Sequence, residues 1–158
     1  MAALLLETSA LVKRWVTERG SGWVRAQTGP IAGEPRFVAR FVGPEIAGAV
    51  TRAHRSGRIT TAERRTALAE IQADMAGRFA VIEMTKAVLD RAMALARDHG
   101  LKGADAVHLA AACELQAAGP FAAGSVVTFV SADDELLAAA PLCGLAVETP
   151  LAHVSPGE

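Results

Sequence analysis

The chain has 158 residues, of which 51% are apolar, and a formal net charge of −1 at pH 7. This length and composition fit one globular domain with a sizeable core and exclude a disordered chain. A net charge near zero excludes a polybasic nucleic-acid binder, so any contact with nucleic acid must use a local basic patch.

The N-terminus and the cysteines indicate where the protein works. Glu7 interrupts an opening run of three leucines, and no basic segment precedes it. We therefore expect neither a signal peptide nor a transmembrane span. Cys113 and Cys143 lie in apolar or alanine-rich sequence and form no CxxC pattern, which indicates two reduced, buried thiols. Together these features predict a cytoplasmic protein.

The first structural elements start almost at the first residue. The apolar run Leu4–Leu6 predicts a buried strand with Glu7 at its end. A helical pattern follows, with Thr8 or Ser9 as its expected N-cap. We expect this helix to continue to about Arg19, because a glycine comes next.

Strand and helix patterns alternate along the rest of the chain, which predicts an α/β fold with a mainly parallel sheet. Residues 1–150 are expected to form the single domain, and residues 151–158 a loose tail. The expected strands are 36–41, near an edge of the sheet, 79–84, 126–130 and 145–147; the expected helices are 22–27, 43–57, 61–76, 85–99, 104–118 and 135–140, with a loop over 28–35.

Four acidic residues occupy comparable positions at the ends of strands or the starts of helices. Glu7 follows the first strand, Glu45 and Asp105 lie in the first turns of their helices, and Asp133 follows the strand 126–130. Each acid alone has a structural explanation, because a carboxylate in a first turn interacts with the helix dipole by about 0.3–1 kcal/mol.

The sequence around these acids favours a joint role. All four are flanked by apolar residues, so we expect them to be partly buried, and lysines and arginines are scarce next to three of them. Clustered buried carboxylates repel one another unless a cation neutralises them. The predicted cofactor is Mg²⁺ or Mn²⁺, which prefers oxygen ligands. Such a site can activate water and stabilise charge at a phosphate.

Three segments of the chain resemble the signature blocks of PIN-domain nucleases, in particular the VapC-type toxins of bacterial toxin–antitoxin pairs. They are residues 5–13 (LLETSALVK), 103–110 (GADAVHLA) and 129–133 (FVSAD), and they occur in the order typical of that family. Glu45, in the segment Pro44-Glu45-Ile46-Ala47, resembles the second acidic position of the family.

The resemblance implies a PIN-like three-layer α/β/α fold whose acids meet at the C-terminal edge of a parallel sheet. It implies a Mg²⁺- or Mn²⁺-dependent endoribonuclease that acts on RNA, a cognate antitoxin that covers the site, and a homodimer. The family's residues map onto Glu7, Glu45, Asp105 and Asp133 as catalytic acids, with Glu7, Asp105 and Asp133 as metal ligands and Ser9 and Ser131 as supporting hydroxyls.

Two features of the acidic set leave alternatives open. The family mostly has Asp where this chain has Glu7, which makes a catalytically weak or silent binding module of the same fold the alternative function. Asp134 adjoins Asp133 and would be the ligand if the turn is shifted, although the spacing to Ser131 favours Asp133. A phosphoaspartyl phosphatase is a weaker hypothesis, because it needs Asp-x-Asp after the first strand.

The remaining polar residues receive structural interpretations. His108 follows Asp105 by one helical turn and is interpreted as a core histidine, although a hydrogen bond within the site is possible at this spacing. In the toxin interpretation, the early helices and the helix after Pro44 form an apolar groove for an antitoxin helix. A basic run is interpreted as solvated surface, with RNA phosphate contact as the functional alternative; it comprises Arg52, His54, Arg55, Arg58, Arg64 and Arg65.

Overall fold

A computed structural model describes residues 3–30, 35–119 and 125–154. Its centre is a sheet of five strands in the order β3-β2-β1-β4-β5, and the four pairings between neighbouring strands are parallel. Leu5 lies opposite Phe37 on one side and Phe129 on the other. The strands are β1 (Leu4–Leu6), β2 (Arg36–Ala39), β3 (Ala80–Ile82), β4 (Thr128–Val130) and β5 (Ala146–Glu148).

Helices cover both faces of this sheet, which confirms the predicted three-layer α/β/α fold. Side chains alternate along a strand, so Leu4 and Leu6 pack towards α3 and α4, whereas Leu5 packs towards α5, α6 and α7. The helices are α1 (Thr8–Leu11), α2 (Ser21–Gln27), α3 (Val42–Arg55), α4 (Thr61–Gly77), α5 (Lys86–His99), α6 (Gly103–Ala118) and α7 (Asp134–Ala139).

Helix α6 is the central helix of its layer, as its alanine-rich sequence predicts. Every residue from Ala106 to Cys113 is buried, which is typical of a helix covered on most sides. The small alanine side chains let its neighbours approach closely, and the contact with α5 is the most extensive between two helices of the described chain. A rigid α6 fixes the position of Asp105 in its first turn.

The cysteines are both free thiols, as the sequence predicts. Cys113 is buried, whereas Cys143 is only half-buried. Burial raises the pKa of the Cys113 thiol to about 12, and the neighbouring Cys143 thiol contributes to this rise. Cys113 is therefore protonated at neutral pH and is a poor nucleophile.

The first helix is shorter than its sequence pattern predicts. It ends at Leu11 and continues only as a 3₁₀ turn over Val12–Arg14, so the predicted extension to Arg19 is wrong. Ion pairs turn the chain away at this point, because Lys13 pairs with Glu18 at 3.0 Å and Arg14 pairs with Asp74 of α4 at 2.8 Å. Long-range partners thus end a helix that periodicity alone would prolong.

One further detail differs from the sequence-based expectation. The N-cap of α1 is Glu7, not Thr8 or Ser9, since the Glu7 carboxylate accepts the backbone N–H of Ser9. Strand β2 lies near an edge of the sheet, as predicted, and the edge strand β3 pairs with its outer side.

The start of the predicted loose tail is ordered. Residues Pro150–His153 form a 3₁₀ turn, and the His153 ring stacks on Trp23 of α2 with centroids 4.9 Å apart. Residues 155–158 lie outside the described part of the chain, as do residues 31–34 of the predicted loop. Over the described ranges, no helix combines the length and the apolar character needed to cross a bilayer.

Gly20 is the residue on which this packing of the C-terminal turn depends. Its φ is +84°, and a Cβ placed there would lie 2.6 Å from the carbonyl oxygen of Pro150. We expect Gly20→Ala to destabilise the protein by about 2–3 kcal/mol, which corresponds to a Tm lower by about 4–12 °C. Thermal unfolding followed by circular dichroism measures this change.

Gly77 supplies the matched control for that substitution. It is the last residue of α4, and a Cβ there would meet no atom within 4 Å. Gly77→Ala should therefore stabilise the protein by about 0.4–1 kcal/mol. Equal Tm values for the two variants would contradict the packing of the C-terminal turn on Gly20.

Candidate active site

The acidic residues lie near the topological switch point of the sheet, where the order of the strands reverses. The chain proceeds from β1 to β2 and β3 on one side, and β4 and β5 lie on the other side of β1. The crevice beyond the carboxyl ends of such strands is where open α/β sheets bind ligands. Glu7 directly follows β1 and Asp133 follows β4, while Glu45 and Asp105 lie in the first turns of α3 and α6.

Glu7 is almost fully buried, with 4% of its surface exposed. One carboxylate oxygen accepts the backbone N–H of Ser9 at 2.9 Å, and the other accepts the hydroxyls of Ser9 at 2.5 Å and Ser131 at 2.9 Å. Burial raises the pKa of Glu7, although these hydrogen bonds favour its charged form. Ser9 and Ser131 therefore hold the Glu7 carboxylate in a defined orientation between β1 and β4.

Glu45 is held by a hydroxyl and a ring nitrogen from two other elements. Its Oε2 accepts a hydrogen bond from Thr8 Oγ1 and contacts His108 Nε2. An ionised carboxylate can only accept a hydrogen bond. The contact therefore requires the Nε2 of His108 to carry the proton. Burial opposes ionisation of Glu45, but the hydrogen bonds from His108 and Thr8 outweigh it and lower the pKa of this carboxyl.

His108 is at once the predicted core histidine and a member of the site. Its side chain is completely buried, and its Nδ1 has no hydrogen-bond partner among the described residues. All of its polar contacts therefore go through Nε2, which lies against Glu45 and 3.1 Å from Thr8 Oγ1. The ring also packs against Phe41, with centroids 6.2 Å apart. His108 is positioned to orient Glu45.

Asp105 is close enough to Asp133 for the charge of Asp133 to act on it. Burial raises the pKa of Asp105, and the negative charge of Asp133 and then that of Glu45 raise it further, against the opposing charge of Lys102. Asp133 also caps α7, because its Oδ1 accepts the backbone N–H of Glu135 at 2.9 Å and that of Leu136 at 3.1 Å. Asp134 is exposed, so the geometry favours Asp133 as the site acid.

The donor chemistry of this cluster fits a hard divalent cation. Carboxylates and hydroxyls are the ligands that Mg²⁺ and Mn²⁺ prefer, and the unrelieved repulsion at Asp105 is the condition that a cation would remove. Within the described ranges, no three Asp, Glu, His or Cys side chains are grouped as metal ligands. Glu7 and Glu45 are instead engaged by the hydroxyls and the histidine described above.

Two residues of the site were not identified as such from the sequence. The sequence indicates a helix cap at Thr8 and a core position for His108. His108 is the only polar residue in the buried run from Ala106 to Cys113, and a lone polar residue one turn after an acid is the signal that could have identified it. Thr8 carried no such signal, because its contact with Glu45 joins residues 37 positions apart.

An apolar groove lies beside the acidic site, between α3 and α4. This groove is distinct from the one predicted between α3 and the early helices, because its second wall is α4. A separate groove does lie between α3 and the early segment that contains Val12 and Val16. The groove has a volume of about 560 Å³. Its lining comprises Arg40, Gly43, Pro44, Ala47, Leu68, Ile71, Gln72, Met75 and Ala76.

Sequence comparison links the chain to two curated relatives. Ribonuclease VapC45 and Ribonuclease VapC49, both of Mycobacterium tuberculosis, are each 35% identical over 115 residues. The matched region covers 71% of this chain and 76% of each relative. A search of protein-family models found no match.

Structural comparison supports the fold. A toxin–antitoxin complex from Klebsiella pneumoniae matches with a TM-score of 0.58 and 20% identity, over 93% of this chain and 97% of that chain. FitAcB from Neisseria gonorrhoeae matches with a TM-score of 0.60 and 14% identity, over 93% and 97%. At these identities the similarity concerns the fold alone.

The charge of Asp105 should reduce the stability of the metal-free protein. Because its pKa is raised in the folded state, ionisation is more costly there than in the unfolded chain. We expect Asp105→Asn to raise the Tm at pH 7 in EDTA by about 1–3 °C, a small gain because the group is half-exposed and screened. The gain should fade as the pH falls towards 3.8, the ordinary pKa of aspartate. Differential scanning fluorimetry measures both effects, and a lower Tm at pH 7 would contradict this electrostatic account.

Proposed function

The chain belongs to the VapC family of ribonucleases, and from this premise we propose that it is a metal-dependent endoribonuclease, the toxin of a toxin–antitoxin pair. The observation that carries the proposal is the placement of four acids from separate elements at the carboxyl edge of the sheet, where the charges of Asp133 and Glu45 act on Asp105. Acids brought together from separate elements, against their own repulsion, are typical of a functional site.

Glu7, Asp105 and Asp133 would hold the metal ion. Mg²⁺ or Mn²⁺ bound there would stabilise negative charge on the scissile phosphate and lower the pKa of a water molecule. Ser9 and Ser131 support this role, because they fix the orientation of the Glu7 carboxylate from α1 and from the residue after β4. Glu7 has one methylene more than the aspartate usual in the family, and its carboxylate contacts Ser131 beyond β4.

Glu45 supplies the group that handles a proton. Its lowered pKa keeps it ionised at neutral pH, and both hydrogen bonds that it receives from side chains end on Oε2. Oε1 has no hydrogen-bond partner in the described part of the chain, so it can accept a proton from an attacking water. Thr8 and His108, which lie 3.1 Å apart, position this carboxylate through its Oε2.

A catalytically silent binding module remains the alternative function. The observation that favours it is the engagement of Glu7, whose carboxylate already accepts three hydrogen bonds in a buried setting. A metal ion must compete with these donors for the same oxygens. Cleavage of RNA by the purified protein separates the two functions.

The test is cleavage of a labelled RNA by purified protein in Mg²⁺ or Mn²⁺ and in EDTA. We expect cleavage only with metal, and a loss of about 100-fold or more in Asp105→Asn, equivalent to about 2.7 kcal/mol of transition-state stabilisation. Asp134→Asn is the matched control, because it removes the same charge from the exposed neighbour of Asp133, and it should retain activity. Metal-independent cleavage, or full activity of Asp105→Asn, would refute the acidic mechanism.

We also propose that the antitoxin binds the apolar groove between α3 and α4. The groove lies against the helix that carries Glu45, so a bound segment would approach the active site. Its apolar lining is suited to the apolar face of a helix. Such binding would inhibit the enzyme by covering the site.

A charge in this groove should weaken inhibition by the antitoxin without affecting catalysis. Ala76 is an exposed residue of α4 in the groove lining, so Ala76→Glu places a charge there without disturbing the core. We expect inhibition by the co-expressed antitoxin to weaken at least about tenfold, because an unpaired charge would be desolvated on binding. Ala62→Glu, about 21 Å away along the same helix, is the control. Equal inhibition of the two variants would place the antitoxin elsewhere.

The remaining features of the proposed protein are its oligomeric state and its location. We propose a homodimer formed through the α5 side of the molecule, where Leu89 is 40% and Met93 is 73% exposed. Exposed apolar side chains of this size on neighbouring turns are typical of interaction surfaces. We also propose that the protein works in the cytoplasm, where it would meet an RNA substrate.

A further inference from the structure

A second groove lies on the other side of α3, and its charge is opposite to that of the acidic site. It has a volume of about 360 Å³, within the range typical of small ligand sites. Val12, Val16, Ala49 and Ala53 supply its apolar part, while Glu18, Arg52, Ser56 and Arg58 supply the polar part.

The charges in this second groove are not balanced locally. Glu18 is its only carboxylate, and it is shared by two cations: Lys13 at 3.0 Å and Arg58 at 3.2 Å. Arg52 is exposed, and among the residues that the structure describes it has no ion pair or hydrogen bond within bonding distance. The guanidinium of Arg52 is therefore the group in this groove that is free to bind an anion.

The conformation of Arg52 directs its charge towards the active site. Arg52 lies in the last turn of α3 and Glu45 in the first, about 10 Å apart along the helix axis. The side chain folds back along the helix, because its Nη1 lies only 3.2 Å from where a Cβ on residue 48 would be. Because Gly48 has no side chain, the side chain of Arg52 has room to lie along the helix. From there its positive charge contributes to lowering the pKa of Glu45.

This arrangement suits a polyanion whose scissile phosphate lies among the acids. A site of four carboxylates repels the backbone of RNA, so the flanking phosphates need cations nearby. Arginine binds phosphate oxygens through two parallel N–H groups, which fixes orientation as well as supplying charge. Arg52 is the unpaired arginine of the groove that adjoins the acidic site.

We propose that Arg52 anchors a backbone phosphate of the RNA substrate, next to the phosphate that is cleaved, and that the groove along α3 carries this flanking strand. The proposal rests on the proposed ribonuclease function. It separates Arg52 from the rest of the basic run, most of which remains solvated surface. An anchor of this kind increases substrate affinity and has little effect on the chemical step.

The test compares Arg52→Ala, Arg52→Lys and Arg97→Ala. Arg97 lies on α5, on the opposite face of the sheet, where it pairs with Asp98, so its removal changes the net charge equally. Binding of a fluorescein-labelled single-stranded RNA is measured as a function of salt in the Asp105→Asn background, where the RNA remains intact. Steady-state cleavage is measured in the active protein.

We expect Arg52→Ala to weaken RNA binding about five- to tenfold and to reduce the slope of log K against log [salt] by about 0.7. KM should rise in parallel while kcat stays within about twofold of the wild type. Arg52→Lys should retain the salt slope because it retains the charge, and Arg97→Ala should match the parent protein.

Three results would overturn the proposal. If the wild type cleaves RNA but Arg52→Ala behaves like Arg97→Ala, the anchor is refuted and the ribonuclease function stands. If kcat falls while KM and binding are unchanged, Arg52 acts through Glu45 and not on the substrate. If the wild type neither binds nor cleaves RNA with Mg²⁺ or Mn²⁺, both the anchor and the proposed function fail.

Discussion

The candidate site of this protein depends on carboxylates that separate elements bring to one edge of the sheet, in a partly apolar setting. Burial, and then the like charges of Asp133 and Glu45, raise the pKa of Asp105, so its ionisation opposes folding. The fold tolerates the cluster because each acid sits at the end of a strand or the start of a helix, where N–H groups and hydroxyls are available. The stability lost to this crowding is the physical condition for binding a cation.

Glu7 and Glu45 differ in the side chains that bind them and in the direction of their pKa shifts. Ser9 and Ser131 surround Glu7, which burial nevertheless disposes towards protonation. Thr8 and His108 surround Glu45 and favour its charged form. The adjacent residues Thr8 and Ser9 thus donate hydrogen bonds to different acids, Thr8 to Glu45 and Ser9 to Glu7. Two carboxylates whose environments shift their pKa values apart are suited to different tasks in one reaction.

Helix α3 links the separate surfaces of the molecule. Its first turn carries Glu45, one side borders the apolar groove shared with α4, and another side borders the groove that contains Arg52. An inhibitor bound on one side and a substrate strand bound on the other would therefore meet at the same carboxylate. This geometry gives a simple physical route by which an antitoxin could control the site, since occupancy near Glu45 excludes the substrate.

The sequence by itself determined the element order, the parallel sheet and the positions of the four acids, because hydrophobic periodicity, caps and glycines act over a few residues. It could not determine where the first helix ends, since Arg14 pairs with Asp74, 60 positions away. Nor could it show that His108 and Thr8, 100 positions apart, meet at Glu45, or that Arg52 remains unpaired beside it. Such contacts depend on how distant elements cross, and only the tertiary structure decides that.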